Sequence, residues 1–403
     1  MQAQRRQEEA GVIGITAVTS AYGAGQRLTS VALEYSEVMD GSRLTADDYA
    51  IEGLQITGVC TSDAARGEID WTGRFVQLLV DGDPASLSLC EHVGRGPAAR
   101  LSIRRPVLSV TQKRDLVTAS GRTAPAFSGR PTTGIDYGIA ERFSTMTFTT
   151  RNGRKLDYNL YIPEHMVAGQ TYPIVLFMHD AGSCSQDTDA PLLQGTGATV
   201  WAIESYYSRR PCFVLAPHYP NVCASDDFRV TWEAEATVEL LEFLCASYPV
   251  DRRRIYGTGQ SMGCMMLCEL MLRHPRFFAG CLLVAGQWDP ERMKAAKDEN
   301  LWVIVSSGDA KAFPIMRKAM DNLRDAGGNV CMSHISARAD AAWLDAAIRS
   351  QKQKGANLNF TWFEGRSVIP DAQDVNPGAH HVNTWVKAYD IKALREWLFE
   401  QRL

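Results

Sequence analysis

The sequence predicts an antiparallel β-sandwich followed by a mostly parallel β-sheet with helices on both faces, an α/β architecture. Two observations carry this prediction. Up to about residue 118 the chain has short β-like runs separated by turn residues, a pattern typical of a sandwich. From about residue 142, continuous apolar runs alternate with helical patterns, which is typical of a parallel sheet that is buried on both faces.

The composition of the chain excludes several classes of protein. Its 403 residues are 45% hydrophobic and 22% charged, which excludes a disordered chain and a small disulfide-stabilised scaffold. The formal net charge of −4 lacks the basic excess of nucleic-acid-binding proteins, and no apolar run is long enough to span a bilayer. We therefore expect no nucleic-acid or membrane partner. The segment Met1–Ala10 does not resemble a signal peptide, which predicts a cytoplasmic protein.

The front half of the chain is predicted to consist of short strands joined by turns. We expect these strands at Leu28–Tyr35, Tyr49–Val59, Phe75–Val80, Ser86–Cys90 and Val107–Val110. The stretch Ala119–Gly134, rich in Gly, Pro, Ser and Thr, is predicted to be a linker or a loosely packed crossover. These boundaries divide the chain into a β-sandwich domain with its linker at residues 1–138 and a second domain at residues 139–403.

The second half is predicted to begin with a β-hairpin. Asn152-Gly153 lies between the alternating runs Phe143–Thr150 and Leu156–Ile162, and Asn-Gly is a strong hairpin signal. Further strands are expected at Pro173–Met178, Cys212–Ala216, Arg254–Tyr256, Cys281–Ala285, Leu301–Ser306 and Leu358–Phe363. Apolar stripes at helical spacing predict helices at Thr231–Ser247 and Asp390–Arg402.

The most informative motif is Gly259-Gln260-Ser261-Met262-Gly263. It follows a strand-like run and opens a helical one, the setting of the nucleophile elbow that presents the reactive serine of an α/β-hydrolase. The two glycines let the backbone of this tight turn pass close to its neighbours. We expect Ser261 to be a nucleophile and the N–H of Met262 to face a developing oxyanion. Gln260, next to the serine, is expected to line the substrate pocket.

A serine hydroxyl needs a base to accept its proton, and an α/β-hydrolase places an acid and then a histidine after the serine in the chain. Two histidines follow the last predicted strand, of which His381 is the favoured base and His380 the alternative. Asp309 follows the strand Leu301–Ser306 and is the favoured acid. Asp289 follows the preceding strand and is the rival acid, although it could equally begin a helix.

The loop that begins at His179 follows the first long apolar strand, where a second oxyanion donor is expected. The N–H of Ala181 is the predicted donor and that of Asp180 the alternative. We interpret His179 as a structural residue of this loop, because a base so early in the chain would break the expected order. Trp288 is a candidate for the wall of the substrate pocket, with simple packing as the alternative.

These motifs resemble those of a known family. The segments IYGTGQSMG, VLFMHDAG, VAGQWD, SSGDAKAFP and HHVNTW resemble α/β-hydrolase esterases labelled predicted peptidases or polyhydroxybutyrate-depolymerase-like, which have an immunoglobulin-like N-terminal domain. The resemblance is strongest from about residue 155 to 403. It implies a carboxylesterase for short acyl esters with Ser261, Asp309 and His381 as its catalytic triad. It also implies that the front domain serves assembly, as in a homo-oligomer, or shapes access to the site.

The sequence therefore predicts a serine hydrolase, a carboxylesterase that cleaves short-to-medium acyl esters through an acyl-enzyme. A small-molecule ester is the expected partner. No metal or organic cofactor is expected, since the ten cysteines form no CxxC pair and the serine chemistry needs none. Two alternatives remain open. One is a serine peptidase or an esterase for feruloyl or polyester substrates, and the other is a catalytically silent binding scaffold.

Overall fold

A computed structural model describes residues 10–94, 100–207 and 210–403, which form two compact units. The second unit contains residues 142–403 together with the segments 22–24 and 92–102, and the first unit contains the rest of the chain up to residue 141. Residues 1–9, most of the segment for which we predict no signal peptide, lie outside the described residues.

The described chain up to residue 136 is mainly strand. Its elements are β1 (Val12–Tyr22), β2 (Gly25–Asp40), β3 (Tyr49–Ile51), β4 (Gln55–Ser62), β5 (Thr72–Asp81), the short helix α1 (Pro84–Leu87), β6 (Cys90–Val93), β7 (Arg100–Ile103), β8 (Ser109–Gln112), β9 (Leu116–Val117), β10 (Thr123–Ala124), β11 (Phe127–Pro131) and β12 (Gly134–Asp136). One sheet has the order β12-β1-β2-β5-β4 and another the order β11-β8-β3. Most of their pairs are antiparallel, and β12 pairs with β1 in parallel.

The two sheets of the first unit share one apolar core, which confirms the predicted β-sandwich. A buried polar contact joins them, because the Tyr35 hydroxyl of β2 donates to the Gln112 side chain of β8 at 2.7 Å. The same hydroxyl lies 3.1 Å from that of Tyr49 in β3. Buried polar groups with satisfied hydrogen bonds of this kind fix how two sheets face each other.

Three predictions for the front half are wrong in detail. The predicted linker Ala119–Gly134 contains β10 and β11, and β11 pairs with β8 as part of the sandwich. The predicted strand Ser86–Cys90 overlaps helix α1, which starts at a proline after Asp83. The predicted strand Tyr49–Val59 is divided at Gly53, whose φ of +76° belongs to a turn.

The second unit alternates strands and helices. Its elements are β13 (Phe143–Thr149), β14 (Lys155–Tyr161), β15 (Tyr172–Met178), α2 (Ala190–Leu193), α3 (Thr199–Tyr207), β16 (Phe213–Pro217), β17 (Ala224–Ser225), β18 (Arg229–Val230), α4 (Trp232–Ser247), β19 (Val250–Gln260), α5 (Met262–Arg273), β20 (Gly280–Val284), β21 (Leu301–Ser306), α6 (Ala312–Asp325), β22 (Val330–Ile335), α7 (Ala341–Lys352), β23 (Leu358–Phe363), α8 (Pro377–Ala388) and α9 (Lys392–Glu400). No helix in the described ranges is both long and apolar enough to cross a bilayer.

One sheet of order β13-β14-β16-β15-β19-β20-β21-β23-β22 organises the second unit. The hairpin β13–β14 and the pair β14–β16 are antiparallel, and every later pair is parallel. The predicted hairpin and the mostly parallel sheet are therefore confirmed. Strand β22 and helices α3, α6, α7 and α8 have no counterpart among the predicted elements.

Successive side chains of the central strands bury opposite faces of this sheet. Leu176 and Val303 belong to the apolar cluster that includes α4, α5 and α6. Their neighbours Phe177 and Trp302 pack instead against Tyr389 and against Trp397 of α9. Because both faces are covered, the strands are nearly continuous apolar runs, as expected of a parallel sheet.

Four parallel strands, β15, β19, β20 and β21, end at the same edge of the sheet, since parallel strands share one direction. His179, Ser261, Gln287 and Asp309 lie on the loops or turns that follow them. The carboxyl edge of an open α/β sheet is where ligands bind in such folds. We therefore expect a functional site at this edge of the sheet.

Candidate active site

Ser261 occupies a sharp turn between strand β19 and helix α5. Its backbone has φ 51° and ψ −114°, a strained conformation for a residue with a side chain. The Ser261 N–H donates to the carbonyl of Val284 at the end of β20, at 3.0 Å. Strain held in place in this way is typical of a nucleophile elbow, where it presents the serine side chain above the sheet.

The two glycines of the motif make this turn possible because its backbones approach closely. A Cβ atom on Gly259 would lie 2.5 Å from the carbonyl carbon of Gly263. A Cβ on Gly263 would overlap the carbonyl oxygen of Met178 in β15. Any larger side chain at either position would force the strand and the helix apart, and would move the serine with them.

The structure brings Ser261, His381 and Asp309 into one chain of hydrogen bonds. The Ser261 Oγ lies 2.8 Å from Nε2 of His381, and the His381 Nδ1 lies 2.5 Å from Oδ2 of Asp309. His381 lies in the second turn of α8, and the ring of Trp385, one helical turn later, packs edge-on against its imidazole. The histidine is therefore held from three sides.

Proton positions in this chain follow from the chemistry of its members. An ionised carboxylate only accepts hydrogen bonds, so Nδ1 of His381 carries the proton and donates it to Asp309. In the neutral imidazole Nε2 is then an acceptor, and the Ser261 hydroxyl donates to it. This is the arrangement in which a histidine can accept a proton from a serine.

Asp309 is buried yet held in its ionised form. Burial alone would raise the pKa of its carboxyl group, but the hydrogen bond from His381 and the electrostatic interaction with that side chain bring the pKa below its ordinary value. The N–H groups of Ala312 and Lys311 add to this effect by donating to Oδ1 at 2.9 and 3.1 Å. A buried, fully hydrogen-bonded carboxylate is suited to orient an imidazole and to stabilise its cationic form.

The alternative base and the alternative acid lie elsewhere. His380 is buried, its Nδ1 lies 3.0 Å from the hydroxyl of Ser306, and its ring packs against Gly308. Burial also lowers the pKa of His380. Asp289 accepts from the N–H groups of two residues that follow it, Glu291 and Arg292, as a residue beginning a helix does. The structure thus brings neither of these residues into the hydrogen-bonded chain at Ser261.

The loop after β15 is oriented by His179. This residue is completely buried, its Nδ1 lies 2.8 Å from the carbonyl oxygen of Asp180, and its Nε2 accepts from the N–H of Tyr219 at 3.1 Å. Because Nε2 accepts, the ring must be neutral, with its proton on Nδ1 donating to Asp180, and burial lowers the pKa of His179 to about 4. In a trans peptide the C=O and N–H point in opposite directions, so holding the carbonyl of Asp180 directs the N–H of Ala181 away from His179.

Ser261 and His381 face a cavity of about 430 Å³, and Ala181 and Met262 also line it. Met262 is the first residue of α5 and Ala181 the first of a short 3-10 helix, so their N–H groups have no acceptor within their own helices. The predicted donors therefore lie on the wall of the cavity that holds the serine. Asp180, the alternative donor, is not part of that wall.

Two predictions about the pocket wall are wrong. The Gln260 side chain donates to Asp180 at 2.9 Å and to Gln194 at 3.1 Å, and so is part of a buried network beside the loop that begins at His179. The Trp288 ring is completely buried, and its Nε1 donates to Glu269 at 3.0 Å. Trp288 therefore has a packing role, which was the alternative to a place in the pocket wall.

The residue of this region that does line the cavity is Gln287, one position before Trp288. The sequence motif VAGQWD contains it. This motif passes from a strand into a loop, where no regular period predicts which side chain turns inward. Ala285 has φ +47°, and a Cβ on Gly286 would lie 2.5 Å from Cβ of Cys264. This bend behind the serine turns the chain, so that Gln287 faces the cavity and Trp288 the core.

Within the described residues, no group of three or more His, Cys, Asp or Glu side chains is placed to hold a metal ion. The chemistry available at this edge of the sheet is that of a serine hydroxyl, an imidazole, a carboxylate and backbone N–H groups.

Comparisons with known proteins agree with the two-part architecture. Residues 14–125 match the family model of the esterase Ig-like N-terminal domain. The chain is similar to a crystal structure of a thermostable esterase, with a TM-score of 0.83 at 22% sequence identity, over 97% of this chain and 100% of that one. A comparison with curated protein sequences finds no match.

Two further solved structures are more distant. A protein from Capnocytophaga ochracea DSM 7271 has a TM-score of 0.40 at 15% identity, over 62% of this chain and 63% of that one. A mutant of the feruloyl esterase module from Clostridium thermocellum, complexed with sinapinate, has a TM-score of 0.40 at 13% identity, over 63% of this chain and 89% of that one. The chain is thus similar to an esterase with an Ig-like N-terminal domain, and its fold is an Ig-like domain followed by an α/β-hydrolase domain.

Proposed function

We propose that the protein is a serine carboxylesterase that cleaves short-to-medium acyl esters through an acyl-enzyme. The observation that carries the proposal is the continuous chain of hydrogen bonds from Ser261 through His381 to Asp309, which opens into a cavity at the carboxyl edge of the sheet. The shared fold with a thermostable esterase and the match to an esterase Ig-like domain support the same class of enzyme.

In the first half of the reaction His381 Nε2 takes the proton of Ser261 as Oγ attacks the ester carbonyl carbon. The carbonyl oxygen becomes an oxyanion, which the N–H groups of Met262 and Ala181 stabilise. Asp309 stabilises the imidazolium without taking its proton. The imidazolium then protonates the leaving alcohol as the carbon–oxygen bond breaks, and the acyl group remains on Ser261.

In the second half a water molecule replaces the alcohol. His381 removes a proton from it as its oxygen attacks the acyl carbon, and the same two N–H groups stabilise the second oxyanion. When the intermediate collapses, the imidazolium returns its proton to Ser261, and the carboxylic acid leaves. The distances of 2.8 Å from Ser261 Oγ to His381 Nε2 and of 2.5 Å from His381 Nδ1 to Asp309 Oδ2 support the proton transfer between the serine and the histidine in both halves.

The size and lining of the cavity support a small ester as substrate. A volume of about 430 Å³ lies at the lower end of the range for small-molecule sites. Val222, Ala224, Met262 and Met265 form the apolar part of its lining, which suits an acyl chain. Methionine side chains adapt their shape easily and would accept chains of different lengths.

The test is the hydrolysis of p-nitrophenyl acetate and butyrate by the wild type and by Ser261→Ala. We expect the variant to lose about 10⁴-fold or more in kcat, because removing the nucleophile removes the covalent route. Ser144→Ala, at an exposed position of β13, is the matched control and should retain full turnover. Unchanged turnover in Ser261→Ala would refute the proposal.

A second panel separates the esterase from the alternatives. Acyl esters, feruloyl esters and aminoacyl amides should be compared at equal enzyme concentration. We expect kcat/KM to be highest for the short acyl esters, since no additional groove is needed to hold them. Preferential cleavage of the amides would identify a peptidase instead, and no cleavage of any substrate would favour a binding scaffold.

A further inference from the structure

Gln287 presents an unusual group to the active-site cavity. Its side chain lines the cavity and only 4% of the residue's surface is exposed. Its Nε2 donates to Oδ1 of Asp226 at 3.2 Å and lies 3.9 Å from the sulfur of Met265. Both of these contacts are made by the nitrogen of the amide and none by its oxygen.

The orientation of this amide follows from its partner. The Asp226 carboxylate also pairs with the ammonium group of Lys311, and a carboxylate can only accept hydrogen bonds. The Gln287 nitrogen must then face Asp226, and its Oε1 must face elsewhere. Among the hydrogen bonds of the described residues none reaches Oε1 of Gln287, so the wall of the cavity carries an acceptor that no protein donor satisfies.

An acceptor in this position discriminates between occupants of the cavity. An apolar chain that fills the space would bury Oε1 without a hydrogen bond, which is costly for a polar atom. A substrate that brings an O–H or N–H group would supply the missing donor. Sites built to bind a substrate hydroxyl reject the analogue that lacks it more strongly than apolar pockets reject an extra methylene.

We propose that Gln287 makes the enzyme selective for esters that carry a hydrogen-bond donor, a hydroxyl group in the first instance, on the part of the substrate that fills this cavity. The inference rests on the proposed esterase function and names its substrate class. Asp226 is the positioning residue, since it holds the amide so that the oxygen and not the nitrogen faces the substrate.

Two sets of esters test the proposal on the acyl side and on the alcohol side. The acyl set is methyl β-hydroxypropanoate, methyl β-methoxypropanoate and methyl butanoate. The alcohol set is the hydroxyethyl, methoxyethyl and propyl esters of butanoic acid. Within each set the hydroxyl and methyl compounds have nearly the same shape, and the methoxy compound can accept but cannot donate. The quantity compared is kcat/KM.

In the wild type we expect the hydroxyl ester to exceed its methyl counterpart by about tenfold in at least one set. The methoxy ester should show no such advantage, because Gln287 Oε1 cannot donate to it. Gln287→Met keeps the length of the side chain and removes the acceptor, and so should abolish the preference by raising kcat/KM for the methyl compound. Labelling of Ser261 by a fluorophosphonate verifies that this variant is folded.

Asp226→Asn tests the orientation of the amide. An asparagine can donate or accept, so it would let the Gln287 amide turn and present its nitrogen to the cavity. We expect this variant to retain the hydroxyl preference and to gain activity on the methoxy ester relative to the methyl one. A rotated amide explains both effects, whereas loss of the ion pair with Lys311 alone would not alter the ratio.

The proposal is overturned if the wild type distinguishes hydroxyl from methyl esters by less than about twofold in both sets, or if Gln287→Met retains the preference. Either result would leave the esterase function standing, because all of the esters would still be cleaved through Ser261. If none of them is cleaved by the wild type, the proposed function itself fails.

Discussion

The Nε2 atom of His381 lies 2.8 Å from Oγ of Ser261, although the two residues are 120 positions apart in the chain. The turn between strand β19 and helix α5 meets helix α8 here, and Asp309 reaches the same imidazole from the turn after β21. Contacts between such distant segments form only in the native fold. Substitutions of the three hydrogen-bonded side chains should therefore change the rate of hydrolysis while most of the packing is retained.

The two candidate acids can be separated by matched substitutions. Asp309→Asn should lower kcat by about 10⁴-fold, because an amide at this position favours the wrong tautomer of His381. Asp289→Asn should stay within about twofold of wild type, since among the described residues the hydrogen bonds of its carboxylate come from the N–H groups of Glu291 and Arg292. The measurement is the hydrolysis of p-nitrophenyl butyrate under saturating conditions. A larger loss in Asp289→Asn than in Asp309→Asn would contradict the assignment.

His179 should influence the rate through the loop that it begins. His179→Phe removes the side-chain donor to the Asp180 carbonyl and leaves it the 3.2 Å bond from the Ser183 N–H, which loosens the orientation of the Ala181 N–H and should lower kcat by about 10²- to 10³-fold with a smaller change in KM. His179→Asn can still donate to that carbonyl and should recover most of the rate. His218→Asn is the control, because that buried ring contacts the carbonyl of Ser185. Equal losses at His179 and His218 would indicate a general structural effect.

The same histidine should make stability depend on pH. Burial lowers the pKa of His179 from 6.5 to about 4, so below pH 6.5 the unfolded chain binds a proton that the folded protein does not. Neutral His179 therefore contributes fully to the free energy of unfolding above pH 6.5. As the pH falls from 6.5 towards 4, the free energy of unfolding decreases by about 3 kcal/mol through this group. Urea unfolding at neutral pH and at pH 4 measures it. Between neutral pH and pH 4 the free energy of unfolding should decrease less in His179→Asn than in the wild type, by about 3 kcal/mol. Equal decreases in the two proteins would contradict the prediction.

The sequence predicts the parallel strands well because each is buried on both faces. Continuous apolar runs such as Leu301–Ser306 are then required, and they are easily recognised. The elbow at Ser261 is equally clear, since close backbone approach demands glycine on both sides of the serine. Edge strand β22 was missed because it is half exposed, and its residues Ser333 and His334 interrupt the apolar pattern.

Helices α1 and α8 were both missed, although each carries the same signal. Asp83 precedes a proline at the first position of α1, and Asn376 does the same for α8, where its side chain accepts from the N–H of Ala379. An Asp or Asn followed by proline is a favourable helix start. This signal would have placed His381 on a helix rather than in a loop.

The side chains that line the cavity could not be predicted in the same way. Gln287 and Trp288 are neighbours in an irregular segment, and which of them turns inward depends on the bend at Ala285 and on the space that Phe228 and Glu269 provide for the indole. These contacts come from other parts of the chain. Periodicity in one short motif carries no information about them.

Covalent labelling shows whether Ser261 is an activated nucleophile. A fluorophosphonate probe should be incubated with the wild type, with Ser261→Ala and with Asp309→Asn, and the modified peptide identified by mass spectrometry. We predict stoichiometric labelling at Ser261 in the wild type, none in Ser261→Ala and much slower labelling in Asp309→Asn. An unlabelled wild type, or a label on any residue other than Ser261, would contradict this prediction.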